Sequence, residues 1–157
     1  MAIEIEHKFL LANNDWRHFV TKSVHYRQGY LSALASSSVR IRASDHQAWL
    51  NIKSATIGNQ RHEFEYQIPL SDATDMLNSL CTKPLIEKIR HFVPVNNDLW
   101  EIDEFYGANQ GLIVAEIELS TIDQLFEKPA WLGLEVTDDL RYYNNNLSTH
   151  PYSQWSE

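Results

Sequence analysis

The sequence contains little cysteine, little glycine and no long apolar run. Cys81 is the only cysteine, so the chain cannot form an intrachain disulfide, and this favours a reducing compartment. No apolar stretch approaches the 18 residues that a membrane span requires, and the first residues do not have the pattern of a signal peptide. We therefore expect a cytoplasmic protein with no membrane segment.

Basic residues are also scarce. Thirteen lysines and arginines stand against 21 aspartates and glutamates, which gives a formal net charge of −8 at pH 7. A negative charge of this size argues against a general partner of nucleic acids or anionic membranes. A length of 157 residues is ordinary for one domain and is enough to bury a core. We expect a single domain over residues 1–157.

The pattern that the sequence does contain is alternation with period two. In the run 3–10, apolar residues and His7 fall on one face of a predicted strand, and Glu4, Glu6 and Lys8 fall on the other. Carboxylates at this spacing can hold a hard cation, and the lysine can hold the anion that accompanies it. These residues alone fit a solvated edge strand with mixed charges better than a binding site, so the interpretation depends on the remaining strands.

Six further predicted strands each carry paired charges on one face. The basic members of all seven strands are Lys8, Arg40, Arg42, Lys53, Lys88 and Arg90. The acidic members are Glu4, Glu6, Glu63, Glu65, Glu101, Asp103, Glu116 and Glu118. Many antiparallel strands with sustained alternation predict a closed barrel in which one face points inward.

The charged face is the better candidate for the interior. Blocks of one sign, such as Arg40 with Arg42, repel themselves unless a counter-ion lies between them. A lipocalin-like barrel with an apolar interior is the alternative, but its charged exterior would not need such blocks. A polar interior rich in arginine suits a polyanion such as a polyphosphate, and the excess of carboxylates suits a divalent cation such as Mg²⁺.

Helices are predicted near residues 15–23, 71–80 and 121–126, where they would cover the apolar outer face of the barrel. In the second helix the buried stripe would be Ala73, Met76, Leu77 and Leu80. A turn is predicted at residues 35–38 and a loop at Gly58-Asn59. The chain from His150 onward is expected to be loose.

Several motifs together resemble one family. They are Glu4-Ile5-Glu6-His7-Lys8, the Arg40 and Arg42 pair, Glu63-Phe64-Glu65, Glu87-Lys88-Ile89-Arg90, Glu101-Ile102-Asp103, Glu116-Ile117-Glu118 and the late Glu135-Val136-Thr137 with Arg141-Tyr142-Tyr143-Asn144. In this order they are similar to the CYTH superfamily, or triphosphate tunnel metalloenzymes. The resemblance implies an α+β fold: an eight-stranded antiparallel β-barrel, the triphosphate tunnel, with a few helices outside and at the C-terminus. His7 stands where close relatives often carry arginine, and by parity it should point out of the tunnel.

The resemblance also implies roles for individual residues. Lys8 and Tyr30 would form a catalytic pair that activates water, in which the ammonium lowers the pKa of the phenol. A metal-bound water deprotonated by a carboxylate is the rival mechanism. Phosphate binding falls to Lys8, Arg40, Arg42, Lys53, Lys88 and Arg90, and metal binding to Glu4, Glu6, Glu116 and Glu118. Supporting roles fall to Glu63, Glu65, Glu101, Asp103 and Arg141, of which Arg141 would close one end of the tunnel.

The resulting hypothesis is an Mg²⁺- or Mn²⁺-dependent enzyme that hydrolyses inorganic tripolyphosphate, or another triphosphate, to diphosphate and phosphate. Short bacterial members of the family are often dimeric, which implies a homodimer. Class IV adenylyl cyclase and thiamine triphosphatase are alternative activities, and a non-catalytic polyphosphate- or nucleotide-binding module is an alternative class. The short chain argues against a cyclase, because few residues lie outside the tunnel to form a purine pocket.

Overall fold

A computed structural model describes residues 2–34, 36–57 and 60–156 of the chain. Its sheet contains nine strands: β1 (Ala2–Leu11), β2 (Lys22–Ala33), β3 (Ser37–Ala43), β4 (Ala48–Ser54), β5 (Gln60–Ile68), β6 (Ile86–Val95), β7 (Asp98–Tyr106), β8 (Ile113–Leu119) and β9 (Leu132–Glu135). Two α-helices are present in the described residues, α1 (Leu70–Ser79) and α2 (Asn144–Leu147). No described helix is long and apolar enough to cross a membrane.

Eight of the strands close into a ring. Pairing runs from β5 through β4, β3, β2, β6, β7 and β8 to β1, and residues Ala2–Ile5 of β1 pair back onto β5. Each of these pairings is antiparallel. The predicted eight-stranded antiparallel ring is therefore confirmed.

The ninth strand was not expected from the sequence. β9 pairs antiparallel with the end of β1, at Phe9 and Leu11, beyond the stretch that β5 covers. A Cβ atom at Gly133 would lie 2.9 Å from the carbonyl oxygen of Leu10, so glycine is needed for this close backbone approach. Glycine is depleted in strands, and β9 has only four residues, so little in the sequence indicates this strand.

The apolar faces of the strands point outward and are covered by short segments. The largest cluster joins Phe9, Trp100 and Ile117 from the strands to Trp16 and Trp131 from the covering segments. On the other side of the ring, α1 packs Ala73 and Leu77 against β3 and β4. Because most apolar side chains of the strands pack in this outer shell, most of the interior is lined by polar side chains.

The helical predictions need three corrections. The first helix is a short 3₁₀ helix over Asp15–Phe19, because strand β2 already begins at Lys22. Residues 121–126 form a turn and irregular chain instead of a helix, although Phe126 still packs on the outer cluster. Leu80 is 65% exposed, because it follows the last residue of α1 and leaves the buried stripe.

The C-terminal residues are also more ordered than predicted. Tyr152–Gln154 form a 3₁₀ helix, and the Trp155 ring packs edge-on against Tyr142 and Tyr152, with centroid separations of 5.0 Å. At residues 35–38, Ser37 and Ser38 belong to β3, whereas Ala35 lies outside the described residues. The predicted loop at Gly58-Asn59 also lies outside them.

One end of the ring is filled by apolar side chains. Tyr30, Ile86, Phe105 and Val114 meet there, and Leu147 of α2 packs against them and is fully buried. The C-terminal segment therefore closes this end. The polar part of the interior begins two residues further along each of these strands, for example at Lys88 after Ile86 and at Glu116 after Val114.

Candidate active site

The ring encloses a cavity of about 310 Å³ that is lined almost entirely by charged groups. Its described lining consists of Glu4, Glu6, Lys8, Tyr26, Arg40, Arg42, Lys53, Arg61, Glu63, Glu65, Arg90, Phe92, Glu101, Glu116, Glu118 and Asn144. Seven of these side chains are carboxylates and six are cations. The charged face is therefore the interior, as the same-sign blocks in the sequence indicate.

The cavity brings together most of the predicted site residues. All four predicted metal ligands line it, together with five of the six predicted phosphate-binding residues and the supporting Glu63, Glu65 and Glu101. Lys88, Asp103, Tyr30 and Arg141 do not. Strand register explains the assembly, because it sets Lys8 opposite Glu116 and Lys53 opposite Glu63.

Lys8 lies at the centre of an ion-pair network. Its Nζ is 2.5 Å from Oε1 of Glu116 and 3.4 Å from Oε1 of Glu6, and its side chain is 2% exposed. Burial alone would lower the pKa of Lys8, but Glu116 and Glu6 raise it above its usual value. Burial raises the pKa of Glu116, but Lys8 and Arg90 outweigh it and bring the pKa down to about 2. Both partners are thus held in their charged forms.

Glu4 is neutralised from two sides. Its carboxylate accepts hydrogen bonds from Lys53 Nζ at 3.0 and 3.1 Å and from Arg61 Nε at 2.8 Å. Burial disfavours the charge, but these two cations hold the pKa of Glu4 well below its usual range. The charge of the Glu4 carboxylate is therefore already neutralised by cations of the protein itself.

Glu118 is in the opposite situation. Glu6 is intermediate, with Lys8 Nζ at 3.4 Å and Arg61 Nη2 at 3.5 Å from its Oε1. Burial, followed by the charges of neighbouring carboxylates, raises the pKa of Glu118 to about 7. Burial also raises the pKa of Glu6, and its Oε1 is buried without a hydrogen-bond donor. Negative charge is therefore least compensated around Glu118, where the cavity carboxylates repel one another.

Arg40 and Arg42 form the matching excess of positive charge. Among the described residues, no carboxylate lies within 4.0 Å of Arg40, and Arg42 has only Glu65, at 3.5 Å. Burial first, and then repulsion by Arg40 and Arg90, lowers the pKa of Arg42 to about 10. Nε of both arginines is buried without an acceptor. An anion would relieve both the repulsion and the unmet hydrogen bonds.

Lys88 and Asp103 lie behind the cavity lining instead of in it. Asp103 accepts from Lys88 Nζ at 2.7 Å and from Arg90 Nε and Nη2 at 2.8 and 2.9 Å, and both Lys88 and Asp103 are fully buried. Burial alone would raise the pKa of Asp103, but the two cations hold it well below its usual range. Asp103 thereby fixes the guanidinium of Arg90, which is the supporting role predicted for it. Lys88 neutralises Asp103 and does not face the cavity.

Tyr30 departs from its expected chemistry. It is 4% exposed and belongs to the apolar cluster that fills the closed end of the ring. Burial raises the pKa of its phenol, although Arg40 and Arg61 act in the other direction. The expected lowering of this pKa by a nearby cation is therefore outweighed by desolvation.

Arg141 lies outside the cavity. Its side chain is 52% exposed and pairs with Asp139 at 2.6 Å, two residues earlier in the chain. Its guanidinium also stacks on Trp155, 4.9 Å from the ring. The tunnel end that Arg141 was expected to close is instead filled by the apolar cluster around Leu147.

Sequence reasoning missed five residues that line or support the cavity: Tyr26, Arg61, Phe92, Tyr143 and Asn144. Arg61 could have been found, because it shares the strand face of Glu63 and Glu65. Tyr143 lies between a 3₁₀ helix and α2, and Asn144 is the first residue of the four-residue α2, so no sustained periodicity indicates where their side chains point.

The carboxylates of the described cavity lining are the type of ligand that a divalent cation prefers, although their side chains are not arranged around a metal position. Among the residues that the structure describes, no group of three or more His, Cys, Asp or Glu side chains is arranged to hold a metal ion. The buried Oε1 of Glu6, which accepts no hydrogen bond, and the mutually repelling carboxylates around Glu118 are nevertheless what a hard cation would stabilise. Glu6 and Glu118 fit such an ion best.

Comparison with known proteins agrees with this geometry. The model of the CYTH domain matches residues 2–152. The chain belongs to the CYTH domain family. It is 43% identical over 157 residues, the full length of both chains, to an inorganic triphosphatase of Acetivibrio thermocellus. It is 34% identical over 149 residues to an inorganic triphosphatase of Nitrosomonas europaea, covering 92% of this chain and 96% of that protein.

The fold of this CYTH protein also matches the solved structure of a relative. The crystal structure of an inorganic triphosphatase superposes with a TM-score of 0.66 at 31% identity, covering 94% of this chain and 95% of the other. The expected tunnel fold is thereby confirmed over nearly the whole chain.

Proposed function

We propose that this CYTH protein hydrolyses inorganic triphosphate to diphosphate and phosphate, using Mg²⁺ or Mn²⁺. The full-length relatives named inorganic triphosphatase support the reaction. The observation that carries the proposal is the segregation of charge in the cavity. Among the described residues, Arg40 has no carboxylate within 4.0 Å and Arg42 has only Glu65, at 3.5 Å. On the acidic side, burial and neighbouring carboxylates raise the pKa of Glu118, and Oε1 of Glu6 is buried without a hydrogen-bond donor. A polyanion bound together with a divalent cation satisfies both groups at once.

The phosphate chain would lie against the arginines. Arg40 and Arg42 would donate to its oxygens in the forked geometry that guanidinium groups favour, and Arg90 is already oriented by Asp103. Lys53 would give up part of its interaction with Glu4 and add a point charge. Lys88 would act indirectly, because it is fully buried behind Asp103.

Glu6 and Glu118 would hold the metal ion, with Glu4 and Glu116 joining when substrate draws Lys53 and Lys8 away. When bound, the metal would neutralise charge on the phosphoryl oxygens and align the reacting phosphorus. The protein's own cations would stabilise the charge that develops as water attacks the terminal phosphorus in line and the bond to the bridging oxygen breaks.

The water must also lose a proton. A Lys8–Tyr30 pair would need the phenol to ionise, and burial opposes this by raising the pKa of Tyr30. We therefore favour a cavity carboxylate as the acceptor, with Lys8 holding the water or a phosphoryl oxygen. Tyr30 would then remain a neutral phenol beside Arg40.

A phosphate-release assay with tripolyphosphate, ATP and thiamine triphosphate, in Mg²⁺, Mn²⁺ or EDTA, tests the proposal. We expect release of phosphate from tripolyphosphate that stops in EDTA. Formation of cyclic AMP and diphosphate from ATP, with tripolyphosphate untouched, would refute it. Tight binding of tripolyphosphate without turnover would instead indicate a binding module.

A further inference from the structure

The segment that follows β9 is tied to the backbone of Lys8. We call residues 135–143 the C-terminal strap. The N–H of Val136 donates to the carbonyl oxygen of Lys8 at 2.8 Å, and the N–H of Lys8 donates to Oγ1 of Thr137 at 3.0 Å. Thr137 Oγ1 in turn donates to Glu135 Oε2 at 2.6 Å. The strap therefore fixes where the Lys8 side chain starts.

The same strap places an aromatic ring against the ammonium of Lys8. Nζ of Lys8 lies 4.8 Å from the centroid of the Tyr143 ring, and the guanidinium carbon of Arg61 lies 5.6 Å from it. Tyr143 is 3% exposed, so little water screens these contacts. The Tyr143 hydroxyl donates to the carbonyl oxygen of Thr137 at 2.8 Å, which fixes the ring relative to the strap.

A ring face differs from a carboxylate as a partner for a cation. Glu116 and Glu6 attract the ammonium of Lys8 with full negative charges, which also repel a phosphate chain. The quadrupole of an aromatic ring attracts the ammonium without carrying a net charge. The ring can therefore keep Lys8 in place when its carboxylate partners turn to a metal ion.

We propose that Tyr143 is a positioning residue for Lys8, acting through the face of its ring; this rests on the function proposed above. The hydroxyl anchors the ring to Thr137, but the ring itself holds the ammonium. Removing the ring should harm turnover more than substrate binding, because Arg40 and Arg42 remain to bind the phosphate chain.

Two variants separate the ring from the hydroxyl. Tyr143→Phe keeps the ring, and we expect its kcat to stay within about threefold of the wild type. Tyr143→Leu removes the ring, and we expect kcat to fall by about tenfold or more while KM changes by less than about threefold. Tyr142→Leu, which removes the neighbouring ring outside the cavity, is the control and should change kcat by less than about twofold. Thermal melting of each variant monitors folding.

A measurement independent of activity distinguishes failure of this inference from failure of the proposed function. The Lys8 methylene protons next to Nζ should show a ring-current shift in the NMR spectrum, which persists in Tyr143→Phe and disappears in Tyr143→Leu. Loss of turnover by equal factors in both variants, or unchanged Lys8 shifts in Tyr143→Leu, would overturn the assignment. If wild-type protein shows the shift but does not hydrolyse tripolyphosphate, only the proposed function fails.

Discussion

Replacing Arg42 by methionine should make the protein more stable without ligand and weaken triphosphate binding. The Arg42 side chain is 13% exposed, and its only described carboxylate partner within 4.0 Å is Glu65, at 3.5 Å. Burial first, and then Arg40 and Arg90, lower the pKa of Arg42 from the ordinary value of 12.5 to about 10. A cation whose pKa is lower in the folded state destabilises that state at every pH below this range. At pH 7 the full effect applies.

The size of the effect follows from these values. At about 1.4 kcal/mol per pKa unit, the charged form of Arg42 disfavours folding by about 3 kcal/mol. Methionine retains much of the apolar stem but loses the contacts of the guanidinium with Tyr26 and Trp49, at 4.7 and 5.2 Å from the ring centroids. Each contact contributes about 0.5–1 kcal/mol. We therefore expect a net stabilisation of about 1–2 kcal/mol.

Ligand binding should change in the opposite direction. A lost hydrogen bond to a charged group corresponds to about 1.5–3 kcal/mol, so tripolyphosphate should bind about 10 to 100 times more weakly. Urea unfolding followed by tryptophan fluorescence, in EDTA with and without tripolyphosphate, measures both effects in one experiment. Arg27→Met is the matched control, because by strand parity Arg27 lies on the outer face of β2 and does not line the cavity.

The reasoning predicts a crossing pattern. Arg42→Met should unfold at higher urea than the wild type without ligand and should gain less stability from tripolyphosphate. Arg27→Met should keep the wild-type gain. If Arg42→Met were less stable without ligand and gained as much from tripolyphosphate as the wild type, Arg42 would be a structural cation and not part of an anion site.

Three further predictions concern other groups of the cavity. Because the pKa of Glu118 is raised to about 7 in the folded state, the metal-free protein should lose stability as the pH rises from about 4.5 to about 7. In Glu118→Gln this loss of unfolding free energy should be smaller, by about 1 kcal/mol or less because the side chain is partly exposed. Urea titrations at several pH values measure the difference. Tyr30→Phe should keep at least about a third of wild-type kcat if a carboxylate is the base, whereas a loss of 100-fold or more in phosphate release would restore the Lys8–Tyr30 pair. Asp103→Asn should lower the free energy of unfolding by about 3–5 kcal/mol, because two cations lose their counter-charge; a change below about 1 kcal/mol would contradict the assigned pairing.

The inward face of the ring was predictable because period-two alternation makes every residue of one parity share a face. Glu4, Glu6 and Lys8 all line the cavity, and so do Glu116 and Glu118 from the neighbouring strand. Same-sign blocks then indicated which face is inside, because they would repel one another without an ion between them. Most of the site residues lie in regular strands, so their inward orientation can be predicted directly from the sequence.

The parts that could not be predicted depend on depth and on irregular chain. Alternation assigns Lys88 to the same face as Arg90, but it does not reveal that Lys88 is completely buried beside Asp103. Nor does it reveal that Tyr30 lies among apolar side chains, which reverses the expected direction of its pKa shift. Tyr143 reaches Lys8 from the end of the strap, just after a three-residue 3₁₀ helix, so no sustained period indicates its position.

The cations of this tunnel differ in whether a carboxylate of the protein already neutralises them. Lys53 and Arg61 are held by Glu4, and Lys88 is held by Asp103, so these cations have counter-charges before any ligand arrives. Arg40 has no carboxylate within 4.0 Å among the described residues, and burial, followed by repulsion from its cationic neighbours, lowers the pKa of Arg42. A fold that leaves these two arginines uncompensated loses stability that it could regain by substitution. That loss is understandable if an anion completes the site, which is why the stability of Arg42→Met, measured without ligand, is a direct test of function.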